Sequence, residues 1–116
     1  LAEFDMVLDT FPYSGGTNNL ESAWLEIPVL TMEGNNFLSR CGSSVNMNLG
    51  MEDWIAKNND EYIEKAVLFS SNKKILSDYK KKLANEKSAN KIFNNRLFAK
   101  DLLNIFKDLK YKKNYL

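Results

Sequence analysis

No histidine occurs in the 116 residues, so a reaction that needs an imidazole base must take it from outside this chain. Cys41 is the only cysteine. That rules out an internal disulfide and points to a reducing compartment, the cytoplasm, as the natural home. No apolar run approaches the roughly 20 residues of a membrane-crossing helix, and no signal peptide is expected. Charge of one sign is not in excess either: 16 basic against 15 acidic side chains leave a net charge of +1. That balance makes no electrostatic case for a nucleic-acid or membrane partner. A Walker lysine and a G-x-G-x-x-G spacing are both missing, which excludes the two commonest phosphate loops.

What is present is the ordinary content of one globular domain, 44% hydrophobic and 27% charged. The chain opens at Leu1 and enters its first strand almost at once, as a piece of a longer protein would. Both prolines and all five glycines lie in residues 1–50. Two short apolar runs there, about Met6–Asp9 and Val29–Met32, predict strands of a parallel sheet covered on both faces. Between them Thr17–Leu25 predicts a helix, with Leu20, Ala23 and Trp24 on one face turned to the core. A further helix is expected from Phe37 or Ser39 to Leu49, stopped by Gly50. Residues 51–116 lack Gly and Pro and read as helix after helix. A short one covers Glu52–Ala56, and another covers residues 60–70 with a cap at Asn58–Asp60. One follows Asn72, and the last runs from about Lys91 to Leu109 with Phe98, Leu102, Ile105, Phe106 and Leu109 as its apolar stripe. The expected class is α/β: a βαβ portion at 1–50 with the helices of 51–116 packed on it as one domain.

The chemistry-bearing stretch is the turn between the first strand and its helix. Ser14, Gly15 and Gly16 follow the carboxyl end of a strand, where open α/β sheets bind ligands. Glycines there let backbone amides approach a charged oxygen. Thr17 suits a helix N-cap, and the N–H groups of residues 17 to 19 together with Asn18 form a mouth that favours a phosphate. Glu21 lies one turn further along the same face, where its carboxylate can accept from a ribose diol. Each residue also has a plain role: a strand-to-helix turn for the glycines, a cap for Thr17, a dipole complement for Glu21. Arg40 can reach a phosphate or pair with Glu33. Trp24 and Cys41 are expected to pack.

The run Leu8-Asp9-Thr10-Phe11-Pro12-Tyr13-Ser14-Gly15-Gly16-Thr17-Asn18-Asn19-Leu20-Glu21-Ser22-Ala23-Trp24 carries a resemblance. With Ile27-Pro28-Val29-Leu30-Thr31-Met32, Gly34, Ser39-Arg40 and Leu49-Gly50-Met51-Glu52-Asp53-Trp54-Ile55-Ala56-Lys57, it resembles the catalytic region of O-linked N-acetylglucosamine transferases. That group includes the SPINDLY-like proteins and bacterial relatives fused to tetratricopeptide repeats. The resemblance implies part of the Rossmann-like, donor-binding lobe of a GT-B glycosyltransferase. It implies a UDP-sugar donor, commonly UDP-N-acetylglucosamine, a protein Ser or Thr acceptor, and no bound metal or other cofactor. The diphosphate would sit on Gly15, Gly16, Thr17 and Asn18, with Ser14 and Arg40 as further candidates, and the ribose on Glu21. The catalytic residues and the N-terminal lobe would lie before residue 1, so the chain alone is expected to be inactive. Asn18 stands where the family often has a second Thr, and Gly16 where some members carry His. Two alternatives stay open: a GT-B enzyme with another sugar or a glycan or lipid acceptor, and a non-catalytic interaction module.

Overall fold

The computed structural model describes residues 3–113, with side chains through Lys110. Three short parallel strands, β1 (Val7–Leu8), β2 (Val29–Met32) and β3 (Ile55–Ala56), form a sheet in the order β1-β2-β3. Val7 lies opposite Val29 and Leu8 opposite Leu30, while Thr31 faces Ile55 and Met32 faces Ala56. Helix α1 (Thr17–Trp24) carries the chain from β1 to β2, and α2 (Cys41–Asn48) from β2 towards β3. The helices α3 (Asn59–Ser71), α4 (Lys73–Ala89) and α5 (Asn95–Lys113) follow. This is the parallel-sheet α/β arrangement that the apolar runs predicted, and it fits the Rossmann-like lobe that the resemblance implied.

The third strand corrects one expectation. Residues 51–116 are not wholly helical: Glu52–Trp54 form a 3-10 turn and Ile55–Ala56 enter the sheet beside β2. A two-residue strand is too short to show a period of its own, and pairing with the fully buried β2 decides its conformation. The last helix is also shorter at its start than expected: Lys91–Phe93 form a separate 3-10 turn and α5 begins at Asn95. Several local signals do hold. Asn58 and Asn72 accept from the N–H groups of Glu61 and Ile75, capping α3 and α4. Gly50, at φ +64°, ends α2. Its N–H reaches Met47 O while that of Met51 reaches Asn46 O, the two bonds of a Schellman stop. The same pair of bonds ends α1, where Glu26 takes the left-handed position at φ 64°.

The core is centred on Trp54, which is fully buried and stacked on Phe69 at 4.3 Å between ring centroids, with the Tyr79 ring edge-on at 5.4 Å. Leu30, Leu49, Met51, Leu76 and Leu83 complete it. Asn46 ties the layers together by donating to both Val29 O and Trp54 O from a buried position. The α1 face departs from its expected pattern. Asn19, Ser22 and Ala23 are buried, whereas Trp24 is 47% exposed, packed edge-on against Phe93 with Lys87 Nζ over its ring. Polar Asn19 turns inward because an acceptor, Asp9, waits there, and Ser22 can follow because its hydroxyl is satisfied within the helix by the Asn18 carbonyl.

Tyr79 donates to Asp53 Oδ2 at 2.6 Å. Burial first, then that carboxylate, pushes its phenol from the ordinary 10.0 up to about 12. The folded state therefore holds the proton more tightly than the unfolded one. The stabilisation is complete below the ordinary phenol value and is lost as pH rises towards the folded one. Denaturation midpoints should fall as pH climbs from 10.0 to about 12, and less steeply in Tyr79→Phe. Equal slopes would refute the assignment.

Candidate functional site

Directly after β1 comes Asp9, a buried carboxylate (9% exposed). Its Oδ1 accepts from the N–H of Thr10 at 3.0 Å and of Gly15 at 2.8 Å. Its Oδ2 accepts from Asn19 Nδ2 at 2.9 Å and from Thr31 Oγ1 at 2.7 Å. The turn is thereby drawn back onto the strand that precedes it. Helix α1 then begins with Gly16 as N-cap, and no side chain caps it. The expectation for Thr17 is corrected: it is the first helical residue rather than the cap, and its hydroxyl makes no hydrogen bond among the described residues. The N–H groups of Gly16, Thr17, Asn18 and Asn19 find no acceptor among the described residues. These are the orphan donors of a helix start, at its positive end.

Two of the candidate residues are engaged elsewhere. The Gly15 N–H points inward to Asp9, so this residue offers no amide to a ligand. It must remain a glycine for another reason, since a Cβ there would lie 2.6 Å from Asn19 Oδ1. Ser14 is buried, with its hydroxyl donating to Leu38 O at 2.9 Å and accepting from Gly42 N–H at 3.0 Å. That hydroxyl stitches the turn to the start of α2 and has no capacity left for a phosphate. Gly16, Thr17 and Asn18 are exposed, and a Cβ on Gly16 would meet nothing within 4 Å. The mouth is open at these three residues.

Glu21 is exposed and makes no ion pair among the described residues. It borders an apolar hollow of about 320 Å³ with Leu20, Trp24, Leu25 and Phe93. Arg40 lies on a different and larger cavity, about 680 Å³, whose lining also includes Gly16, Glu33, Asn36 and Ser44. There its Nε is 3.7 Å from Glu33 Oε1, both side chains well exposed, a contact worth little by itself. The fold thus brings Arg40 to the same cavity as Gly16, with Glu21 opening onto the neighbouring one. Leu20 forms the wall between them. Cys41 is half-buried and its thiol donates to Phe37 O at 3.3 Å.

Sequence reasoning passed over two residues that build this site. Asp9 reads as a strand end and Gly42 as an ordinary helix residue. Yet Gly42 sits where any Cβ would overlap Thr31 Oγ1 and Asp9 Oδ2. The signal available was an acid ahead of a glycine turn, which also ends many plain strands.

Residues 2–102 match the model of glycosyl transferase family 41. Two plant proteins named probable UDP-N-acetylglucosamine–peptide N-acetylglucosaminyltransferase SPINDLY are similar over 105 residues, 90% of this chain. The one from Solanum lycopersicum is 31% identical and the one from Arabidopsis thaliana 32%. The chain spans 11% and 12% of their lengths. A Caenorhabditis elegans UDP-N-acetylglucosamine–peptide N-acetylglucosaminyltransferase is 26% identical over 98 residues, 84% of this chain and 8% of its own. Among solved structures, an O-GlcNAc transferase variant from Thermobaculum terrenum superposes with a TM-score of 0.73 at 31% identity. It covers 74% of this chain and 16% of that one.

Proposed function

The chain belongs to glycosyl transferase family 41, and on that premise we propose that it is the donor-binding part of an enzyme that moves N-acetylglucosamine from its UDP carrier to Ser or Thr hydroxyls of proteins. The observation that carries this reading is the set of unpartnered N–H groups from Gly16 to Asn19 at the start of α1. As the glycosidic bond breaks, negative charge collects on the departing diphosphate. Amides already aimed at that position stabilise it without reorganising. On this reading the amides and the positive end of the helix, rather than a metal ion, hold the diphosphate. Thr17 adds a hydroxyl donor and Asn18 an amide, while the Glu21 carboxylate accepts from the ribose one turn along. With no histidine in the chain, an imidazole base for the acceptor proton would have to come from elsewhere in the longer protein.

That longer protein also supplies cover for two bare surfaces. Leu8 on β1, at the outer edge of the sheet, is 54% exposed, and on α5 Phe98, Leu102, Ile105, Phe106 and Leu109 all stand exposed. A parallel sheet is ordinarily covered on both faces and continued at its edges. We assign both surfaces to contact with the rest of the enzyme.

Calorimetric titration of the full-length protein with UDP tests the site. A charge-assisted hydrogen bond is worth about 1.5–3 kcal/mol, so Glu21→Ala should weaken UDP binding by roughly 10- to 100-fold. Thr17→Ala, which loses a neutral hydroxyl bond, should weaken it by about 5-fold. Binding untouched by both changes would dismiss the site. Mass spectrometry of products formed from competing nucleotide sugars then identifies the sugar transferred.

A further inference from the structure

We infer that Asp9 is the positioning residue of the donor site: it sets the angle and height at which the α1 amides meet the diphosphate, without touching the nucleotide itself. The inference rests on the reading of the α1 start as that site. A carboxylate offers about four lone-pair directions, and Asp9 spends all of them on protein donors: Thr10 N–H, Gly15 N–H, Asn19 Nδ2 and Thr31 Oγ1. None is left for a ligand. No cation pairs with it among the described residues, so these neutral donors alone replace the water lost on burial. Its backbone carbonyl meanwhile accepts from Tyr62 Oη at 2.8 Å. One residue therefore clips together the end of β1, the glycine turn, the third residue of α1, strand β2 and helix α3.

The consequence for the site is geometric. By drawing the Gly15 N–H inward, Asp9 ends the series of available amides at Gly16. By holding Asn19 it fixes the first turn of α1 against the sheet. An acid performs both tasks with Asn19 as it stands. An amide at position 9 would keep an oxygen for the two backbone donors but would aim its NH₂ at the NH₂ of Asn19, donor against donor, unless Asn19 turned its amide over and gave up the present arrangement.

The experiment measures donor and acceptor KM, and the Kd for UDP, in the full-length enzyme carrying Asp9→Asn, Thr31→Val, or the exchange Asp9→Asn/Asn19→Asp. In the exchange, the amide at position 9 donates to a carboxylate at position 19. Asp9→Asn should raise donor KM and the UDP Kd by at least tenfold with acceptor KM unchanged, and the exchange should recover most of the loss. Thr31→Val, which removes one donor from Oδ2 at a distance from any ligand, should raise donor KM severalfold. It serves in place of Asp9→Asn should that variant not fold. Lowered thermal stability with donor KM within twofold of wild type, in whichever of these variants folds, would overturn the inference. So would an exchange that regains stability but not donor affinity. If Thr17→Ala and Glu21→Ala weaken UDP binding while Asp9→Asn and Thr31→Val do not, the positioning role fails and the site stands. If none of them does, both fail.

Discussion

Gly42→Ala should unfold or severely weaken this lobe, although glycine within a helix is ordinarily replaced by alanine with a gain. Gly42 is buried at the second position of α2, and its N–H donates to Ser14 Oγ. An added methyl would overlap Thr31 Oγ1 and Asp9 Oδ2 and press on Asn19 Nδ2 at 3.0 Å. None of these atoms belongs to a flexible side-chain end, since all are held in the hydrogen-bond cluster around Asp9. Relief requires either that α2 lift from the sheet, which breaks the bond from Gly42 N–H to Ser14 Oγ, or that the Thr31 and Asn19 side chains give up their bonds to Asp9. Overpacking costs about 1–3 kcal/mol, and each buried polar group left unpaired about the same again. The expected loss is therefore roughly 3–5 kcal/mol, or about 10 °C or more in Tm. Gly16→Ala is the control, because a Cβ there points into open space, and it should cost no more than about 1 kcal/mol, the difference between Gly and Ala at an N-cap. Thermal melts of the two variants check this. Equal Tm values would show that the cluster is looser than described.

Trp54→Ala should be comparably damaging for a different reason. Its indole is fully buried between Phe69 and Tyr79, and removing a large aromatic from such a place costs about 3–5 kcal/mol. It also sits directly before β3, so the cavity would open beneath the third strand. Trp54→Phe should be much milder, about 1–2 kcal/mol, because Nε1 has no hydrogen-bond partner among the described residues and nothing polar is lost with it. Denaturant midpoints of the two variants measure the difference. A Phe variant as unstable as the Ala variant would mean that the indole nitrogen is bonded after all.

The α/β class and most helix ends were legible because their causes are local. Val29–Met32 is an unbroken apolar run and became the fully buried central strand. Asn58, Asn72 and Gly50 acted where a cap or a stop was expected, since each needs only its own backbone neighbours. The inward face of α1 was not legible. Hydrophobic periodicity turns Trp24 to the core, yet the polar Asn19 and Ser22 are buried and Trp24 is half out. An asparagine enters a core only when an acceptor is already there, and that acceptor lies ten residues earlier on another element. Strand β3 was hidden for the same kind of reason, its conformation being imposed by a partner more than twenty residues away.

The site divides along the same line. That amides at the start of α1 face an opening, with an acid one turn along, follows from residue order and helical spacing. Which candidates keep a free group does not. Ser14 and Gly15 were spent on Leu38, Gly42 and Asp9, and Arg40 and Glu21 open onto separate hollows. By itself the amino-acid order determined most element types, most of the helix punctuation and the place of the glycine turn, because these depend on contacts a few residues long. Only the tertiary structure decided which polar groups are consumed inside and which remain for a ligand. A buried donor must find its acceptor wherever the chain brings one near, and that partner can lie at any distance along the sequence.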